Sequence, residues 1–352
     1  MRLADIKLTP IVETLQLLKI TDEEYFSPKY KNYISNSRLG LLNPKQDGSV
    51  TKFFEGFVND GYIPYFELGS SVHELLLQPE YFELAPDLER PSAKLGAMAD
   101  YLYNLWSSRT RITKTEVIEA SNIVNYYKDK ITDDLAKKVI SSCLPYWKNR
   151  KKYKESNKIT IYLDKKTRDT VSNCVLALEK NKQIQDLLHP EAFLTKPISE
   201  NEWAILLDIK VNCPNGKEFI LHLKSKLDNF TIDDDTITVN DVKTIGKVVS
   251  ECNNNINRFH YNREIAMYSY LLKLYVENYK NIPNPTIKGN FLWVSTIPNY
   301  YTKVTSLSKN DFTEGFHEFK TLLKYAAYLI GYEGYSFNII NSNSVIIYSK
   351  II

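Results

Sequence analysis

Two carboxylates and a lysine fall close together in a stretch that reads as neighbouring β-strands: Asp228, then Asp241-Val242-Lys243-Thr244 thirteen residues on. Strand side chains alternate faces, so Asp241 and Lys243 project to one side while Val242 packs behind them. Asp228 is expected at the end of the preceding strand, with the acidic turn Asp233-Asp234-Asp235 between the two. Carboxylates held together repel unless a cation lies between them. Their oxygens suit Mg²⁺ or Mn²⁺. A lysine on the same face can orient a water or offset charge developing on a phosphate. Together these groups could perform metal-assisted phosphodiester hydrolysis. Taken alone, the same residues also fit a solvated, charged hairpin.

Two helices must supply the rest. Gly69-Ser70-Ser71-Val72-His73-Glu74-Leu75-Leu76-Leu77-Gln78-Pro79 reads as a helix capped by Ser70 or Ser71 and stopped by Pro79. His73 shares its side with Leu76 and Leu77. Such a histidine is either a hydrogen-bonded core residue or a metal ligand. The second helix follows the hairpin, with Ile265, Tyr268, Leu271 and Leu272 at helical spacing. Tyr261, Glu264 and Tyr268 form a polar-aromatic stripe on it.

The order of parts (His helix, Asp strand, D-V-K-T, Tyr/Glu helix) resembles the PD-(D/E)XK nuclease superfamily, and within it the RecE-like exonucleases of the exodeoxyribonuclease VIII type from phages and prophages. The resemblance rests on Gly69, His73, Asp228, Asp241-Val242-Lys243-Thr244, Tyr261 and Tyr268. It departs at Glu264, where the family has glutamine; a carboxylate only accepts where an amide also donates. Tyr33-Ile34-Ser35-Asn36-Ser37-Arg38-Leu39 is similar to the family's entry segment, and Val175 to Leu188 to the helix leading into its sheet. Glu202 falls roughly where relatives place a glutamate, with Glu200 as competitor.

The resemblance implies an α/β restriction-endonuclease-like core, a mixed central sheet flanked by helices, with helical additions at its N-terminal side. It implies one or two Mg²⁺ or Mn²⁺ ions on Asp228 and Asp241, with His73 and the Val242 carbonyl as further ligands. Lys243, Glu264 and Tyr268 would serve the chemistry. The implied reaction is 5′→3′ digestion of linear duplex DNA ends, leaving 3′ tails for a single-strand annealing protein in recombination or repair, by a homo-oligomer. A structure-specific or endonucleolytic enzyme and a non-catalytic nucleic-acid-binding module are the alternatives.

Composition fits an ordinary globular chain: 352 residues, 43% hydrophobic, 25% charged and a net charge of +3. Global charge therefore does not announce nucleic acid. One local run does: Lys148, Arg150, Lys151 and Lys152, flanked by Tyr146, Trp147 and Tyr153, could grip a phosphate backbone and stack on a base. Tyr261 is a further candidate DNA contact. A solvated loop is the plain alternative for the run. Abundant Tyr, Lys, Asn and Ile suit an AT-rich coding source such as a phage. Cys143, Cys174, Cys213 and Cys252 are dispersed, and none lies in the first 142 residues, so no iron–sulfur cluster is expected. With no membrane-length apolar run and no leader pattern, the expected place is the cytoplasm.

The expected organisation is an N-terminal segment (1–60) packed on a nuclease domain (61–352) that carries a helical insertion at about 93–160. Helices are expected over Ile11–Leu18, Ala93–Trp106, Thr115–Tyr127, 166–187, Asn257–Tyr279 and Asp311–Leu329. Strands are expected at 159–163, three within 203–243, one at Gly289–Thr296 and one at Ser344–Ile351.

Overall fold

The structure, a computed structural model, describes residues 3–57, 67–127, 130–191 and 197–332. In chain order its elements begin with strand β1 (Lys7–Leu18) and three short helices, α1 (Asp22–Tyr25), α2 (Asn36–Gly40) and α3 (Val50–Glu55). Next come α4 (Glu67–Leu77), β2 (Phe82–Leu84), α5 (Ala93–Arg109), α6 (Lys114–Ile123), α7 (Asp133–Lys152), β3 (Ile159–Ile161) and α8 (Lys165–Lys180). Then follow α9 (Lys182–Leu188), β4 (Ile198–Asn212), β5 (Glu218–Asp233), β6 (Thr236–Ile245), α10 (Cys252–Phe259) and α11 (Tyr261–Tyr279). The last are β7 (Thr286–Ser295), β8 (Thr302–Ser306) and α12 (Lys309–Ala327).

These elements divide into two compact units. The first holds the described residues of 1–61, 181–293 and 301–352. Its centre is a six-stranded mixed sheet in the order β1-β4-β5-β6-β7-β8. The first four strands pair antiparallel. The Thr286 amide donates to the Asp235 carbonyl, which starts β7 beside the start of β6. The two strands therefore run the same way, joined by the helical crossover α10–α11, as parallel neighbours require. Helices cover both faces. Asn240 on β6 reaches the Leu187 carbonyl of α9 on one face, while Lys243 reaches Glu264 of α11 on the other. Leu207, Leu223, Leu227, Val239, Ile265, Leu272 and Phe291 form the heart of this unit's core.

A chain of buried side-chain amides crosses this sheet. Asn229 donates to Asn201 (2.8 Å) and Ser199 (3.2 Å), and accepts from Asn240 (2.7 Å). Asn240 accepts from Asn290 (2.9 Å), which accepts from Ser306 (2.7 Å). The chain thus passes through β4, β5, β6, β7 and β8. Asn229 and Asn240 are fully buried, and hydrogen bonding is what makes buried amides tolerable.

The second unit holds the described residues of 62–180 and 294–300. Its core lies among α5, α6 and α7 around Trp106, Trp147, Met98, Leu102, Val117 and Val139. Trp147 stacks on Trp106 at 5.6 Å, and its indole N–H donates to the Ala99 carbonyl at 2.8 Å. β2 and β3 form a separate parallel pair.

Several expectations need correction. The segment Ile11–Leu18 is strand, not helix. Its Leu15 and Leu17 recur at the strand period, and Pro10 suits an edge strand. The helix expected over 166–187 is two helices, because the Asn181 side chain leaves the first and caps the second by accepting the Ile184 amide. The helix expected from Asn257 breaks at His260, which is left-handed at φ 54°. The helix His73 rides starts at Glu67, and Ser71 hydrogen-bonds back to the Glu67 carbonyl within it, so neither Ser70 nor Ser71 caps it. β8 lies in a polar stretch the periodicity did not reveal. The strand expected over Ser344–Ile351 lies outside the described residues. Among the described residues no helix is long and apolar enough to cross a membrane.

Removing the central rung, Asn240→Ala, strands the Asn229 oxygen, the Asn290 amide and the Leu187 carbonyl at once. Urea unfolding should show a loss of about 3 kcal/mol or more. A loss within error of a surface alanine substitution would show that the amide chain does not hold the sheet.

Candidate functional site

The residue beside each amide rung of β4, β5 and β6 is an acid. Glu202 follows Asn201, Asp228 precedes Asn229, and Asp241 follows Asn240. Alternation turns these acids to the face opposite the amides, towards α11. Glu202 is bracketed by the pairs Asn201↔Asn229 and Trp203↔Leu227, which sets it across from Asp228. A carboxylate oxygen of each lies within 4.8 Å of the other. Glu202 has a positive φ of 57°, a conformation that carries strain in a non-glycine residue and is held by its surroundings.

Between β5 and β6 the ladder ends at Asn229↔Asn240. Asp228 therefore lies well inside a 16-residue strand, not at its end as expected. What ends there is its pairing. The next backbone donor on β6, the Val242 N–H, is taken by the Asp228 carboxylate at 2.7 Å. Further along β5 the vacated edge is bonded by the N-terminal segment. Ile34 N–H donates to the His222 carbonyl (2.7 Å), and Lys224 N–H to the Ile34 carbonyl (3.0 Å). β6 is thereby free to part from β5 and carry Asp241 and Lys243 under α11.

Lys243 is held from three sides. Its ammonium lies 2.8 Å from Asp241 Oδ2, 3.2 Å from Glu264 Oε2 and 4.7 Å from the centroid of the Tyr261 ring. The Tyr268 hydroxyl donates to the other oxygen of Glu264 at 3.0 Å, which fixes that carboxylate. Burial opposes the Lys243 charge, but Asp241, Glu264 and Asp228 outweigh it and push its pKa well above the usual lysine value. Burial pushes Asp241 well above the usual carboxylate range. Lys243 opposes that shift, and Asp228 and Glu264 add to it. One ammonium facing three carboxylates stays charged, and the carboxylates are in excess.

Lys226 partly repeats the arrangement on β5. It pairs with Glu202 at 2.6 Å and also with Asp22. Leaving aside the exposed Asp22, four carboxylates (Glu202, Asp228, Asp241, Glu264) meet two ammonium groups. With all four acids ionised, the site has two negative charges in surplus. Asp241 is 2% exposed, and its Oδ2 makes no hydrogen bond of ordinary geometry among the described residues, despite its closeness to Lys243. A buried, under-bonded carboxylate oxygen within a carboxylate-rich cluster fits a hard divalent cation.

The sequence-derived residues are spread over both units. Asp228, Asp241, Val242, Lys243, Glu264, Tyr268 and Tyr261 come together in the first unit. Of the two glutamates weighed on β4, Glu202 joins them, whereas Glu200 accepts from the Trp203 indole at 3.0 Å. Lys226 was not singled out from sequence, although its K-x-D spacing to Asp228 mirrors Asp241-x-Lys243. His73 stands half-buried on α4 in the second unit. The basic run is also there, on the last turns of α7 rather than in a loop. Lys148, Lys151 and Lys152 are exposed. Arg150 is committed internally, 3.1 Å from Asp100 and between the rings of Tyr103 and Tyr162 at 4.2 and 3.8 Å.

No protein-family model and no curated protein matches this chain. Among solved structures it is similar to a candidate exonuclease from Eubacterium rectale, at a TM-score of 0.44 and 8% identity over 89% of this chain and 86% of that one. A Vibrio cholerae protein gives a TM-score of 0.16 and 12% identity over 79% of this chain and 60% of that one. At these scores neither similarity assigns a family or an activity.

The Asp241 charge works against folding when no cation is bound. Its folded-state pKa is raised, so its favourable contribution is complete below the unfolded value near ~3.9 and is lost as pH rises through the folded value. In EDTA at neutral pH, Asp241→Asn should therefore raise the melting temperature by about 2 °C or more, with the gain shrinking towards about pH 4. A variant that melts lower at neutral pH would mean that the Lys243 pairing outweighs burial.

Proposed function

We propose that this protein is a metal-dependent deoxyribonuclease with a PD-(D/E)XK-type site, acting as an exonuclease on linear duplex DNA. The observation that carries the reading is the line of Glu202, Asp228 and Asp241 across three adjacent strands, with Lys243 clamped between Asp241 and Glu264. Asp228, Asp241 and Glu202 would hold one or two Mg²⁺ or Mn²⁺ ions, with the Val242 carbonyl and, from the family resemblance, His73 as further ligands. When bound, such an ion polarises a phosphodiester and makes a coordinated water acidic enough to attack at neutral pH.

The protein's own groups do the positioning. Tyr268 holds Glu264, Glu264 and Asp241 hold Lys243, and Lys243 presents a fixed positive charge to the phosphate or to the attacking water. Such preorganised charge is most effective where water is excluded, and Lys243 has only 18% of its side chain exposed. The Tyr261 ring, packed on the Lys243 ammonium, borders the same place. Lys148, Lys151 and Lys152 would add sequence-independent phosphate contacts, with Arg150 shaping that helix end from within. The resemblance further supports 5′→3′ polarity, 3′ tails passed to a single-strand annealing protein, a homo-oligomeric enzyme and action in the cytoplasm of a bacterial or phage-infected cell.

Three substrates test this reading: a linear duplex, the same duplex blocked at one 5′ end, and a closed circle, each with Mg²⁺ or EDTA. Mg²⁺-dependent loss of the linear duplex, slowed from the blocked end, with the circle intact, is the expected result. Nicking of the circle would assign an endonuclease instead. Asp241→Asn and Asp228→Asn should each lower the rate about a thousandfold or more. Undiminished digestion by either variant would end the proposal.

Glu264 has a narrower expected outcome. A glutamine there keeps an oxygen for Tyr268 or Lys243, so Glu264→Gln should keep activity within about tenfold of the parent. Glu264→Ala releases Lys243 and should lose about a hundredfold or more. Equal rates for the two variants would remove Glu264 from the Lys243 clamp.

A further inference from the structure

Helix α11 has two working faces. Tyr261, Glu264 and Tyr268 point to the carboxylate cluster. At 100° per residue, Ala266, Ser269, Tyr270, Lys273 and Glu277 lie on the opposite side. That side lines an open-mouthed cavity of about 1080 Å³, bounded by β7, the start of α12 and the Ser306–Leu307 segment, all within the first unit. The nuclease site uses none of it.

The walls are aromatic and aliphatic. Tyr270, Phe312 and Phe316 are half-buried rings lining the cavity, with Leu274, Ile287 and Leu307 beside them. Gly289 contributes bare backbone, because a Cβ there would come within 2.5 Å of Ile265 and 2.8 Å of Phe312. The charged lining is one-sided. Lys273, Lys288, Lys309 and Lys320 face a single acid, Glu277, which already pairs with Lys273 at 3.6 Å. The cavity also contains a polar group without a partner. Ser269 is 2% exposed, and its hydroxyl has no hydrogen-bond partner among the described residues. Buried hydroxyls normally find partners, and a turn of the Ser269 side chain about χ1 would offer this one to a ligand in the cavity.

Aromatic walls, a cationic rim and one buried hydroxyl together select a ligand with a planar body, a hydrogen-bonding edge and a negative charge. The volume is of the size that encloses a small molecule. We propose that this cavity binds a nucleotide, its base against Tyr270, Phe312 and Phe316, its edge at Ser269 and its phosphate among Lys288, Lys309 and Lys320. Every base has a π-face, so stacking alone does not choose among bases. This site is separate from the carboxylate cluster and stands whether or not the nuclease reading does.

Titration calorimetry on the full chain in EDTA tests it, with dAMP, inorganic phosphate and palmitate as probes. EDTA withholds the cation through which a phosphate would reach the carboxylate cluster. The expected result is saturable one-to-one dAMP binding, weakened about tenfold or more by Lys309→Glu/Lys320→Glu. Thr313→Trp, at an exposed position on the cavity lining, should block binding, and Asp241→Asn should leave it unchanged. All of these lysines and Thr313 are on the surface except the half-buried Lys273, which is left intact, so folding is not at stake. No dAMP binding would overturn the proposal. So would equal binding of phosphate alone, preference for palmitate, insensitivity to both cavity variants, or dependence on Asp241.

Discussion

Registration of the central strands by buried amides is the constraint on which the rest of the first unit depends. A sheet paired only through its backbone can slip, and a slip of one residue turns every side chain to the other face. Here Asn201, Asn229, Asn240, Asn290 and Ser306 hydrogen-bond to one another from strand to strand. Each amide in the middle of the chain is satisfied only in this alignment. A one-residue shift of β6 would break the rungs on both sides of Asn240 and bury unsatisfied amides, at a cost no apolar contact in that position offsets. The acids lie one residue away on the other face, so the same hydrogen bonds that fix the sheet also place Glu202, Asp228 and Asp241 side by side.

That placement concentrates negative charge where burial makes it expensive. The cluster does not disperse, because each acid is tied to something that cannot move. Asp228 holds the Val242 amide beyond the ladder, Glu202 holds Lys226, and Asp241 faces Lys243. Lys243 in turn is held by Glu264, itself fixed by Tyr268 on a helix packed against the sheet. Sites that break local rules while being over-determined by their surroundings are where proteins keep function at the expense of stability. The positive φ of Glu202, the under-bonded Asp241 oxygen and the two surplus negative charges all fall at this one place.

How much of this the sequence disclosed depends on whether the deciding physics is local. The D-x-K spacing and the body of the second helix, with Tyr261, Glu264 and Tyr268 on one stripe, follow from short-range rules, and both lie where the pattern puts them. Ile11–Leu18 suits helix or strand from sequence because it mixes two periods, and only pairing with β4 decides between them. The break at His260 depends on a left-handed residue with no glycine to mark it. The basic run looked uniform, yet tertiary packing singles out Arg150 for Asp100 and two tyrosine rings. The asparagines carry no local signal for the same reason. Each is an ordinary polar residue until neighbours distant in sequence, Asn229 and Asn290 for Asn240, are brought to hydrogen-bonding distance.

Helix α11 joins these threads. Its 19 residues carry the Lys243 clamp on one side and the floor of the apolar cavity on the other. Between these faces Ile265, Leu271, Leu272 and Val276 are fully buried, so the helix is wedged by its neighbours rather than free to rotate. Packed interiors transmit displacement because they have no slack. One packed helix therefore fixes Glu264 and Tyr268 on one side and Tyr270 and Ser269 on the other.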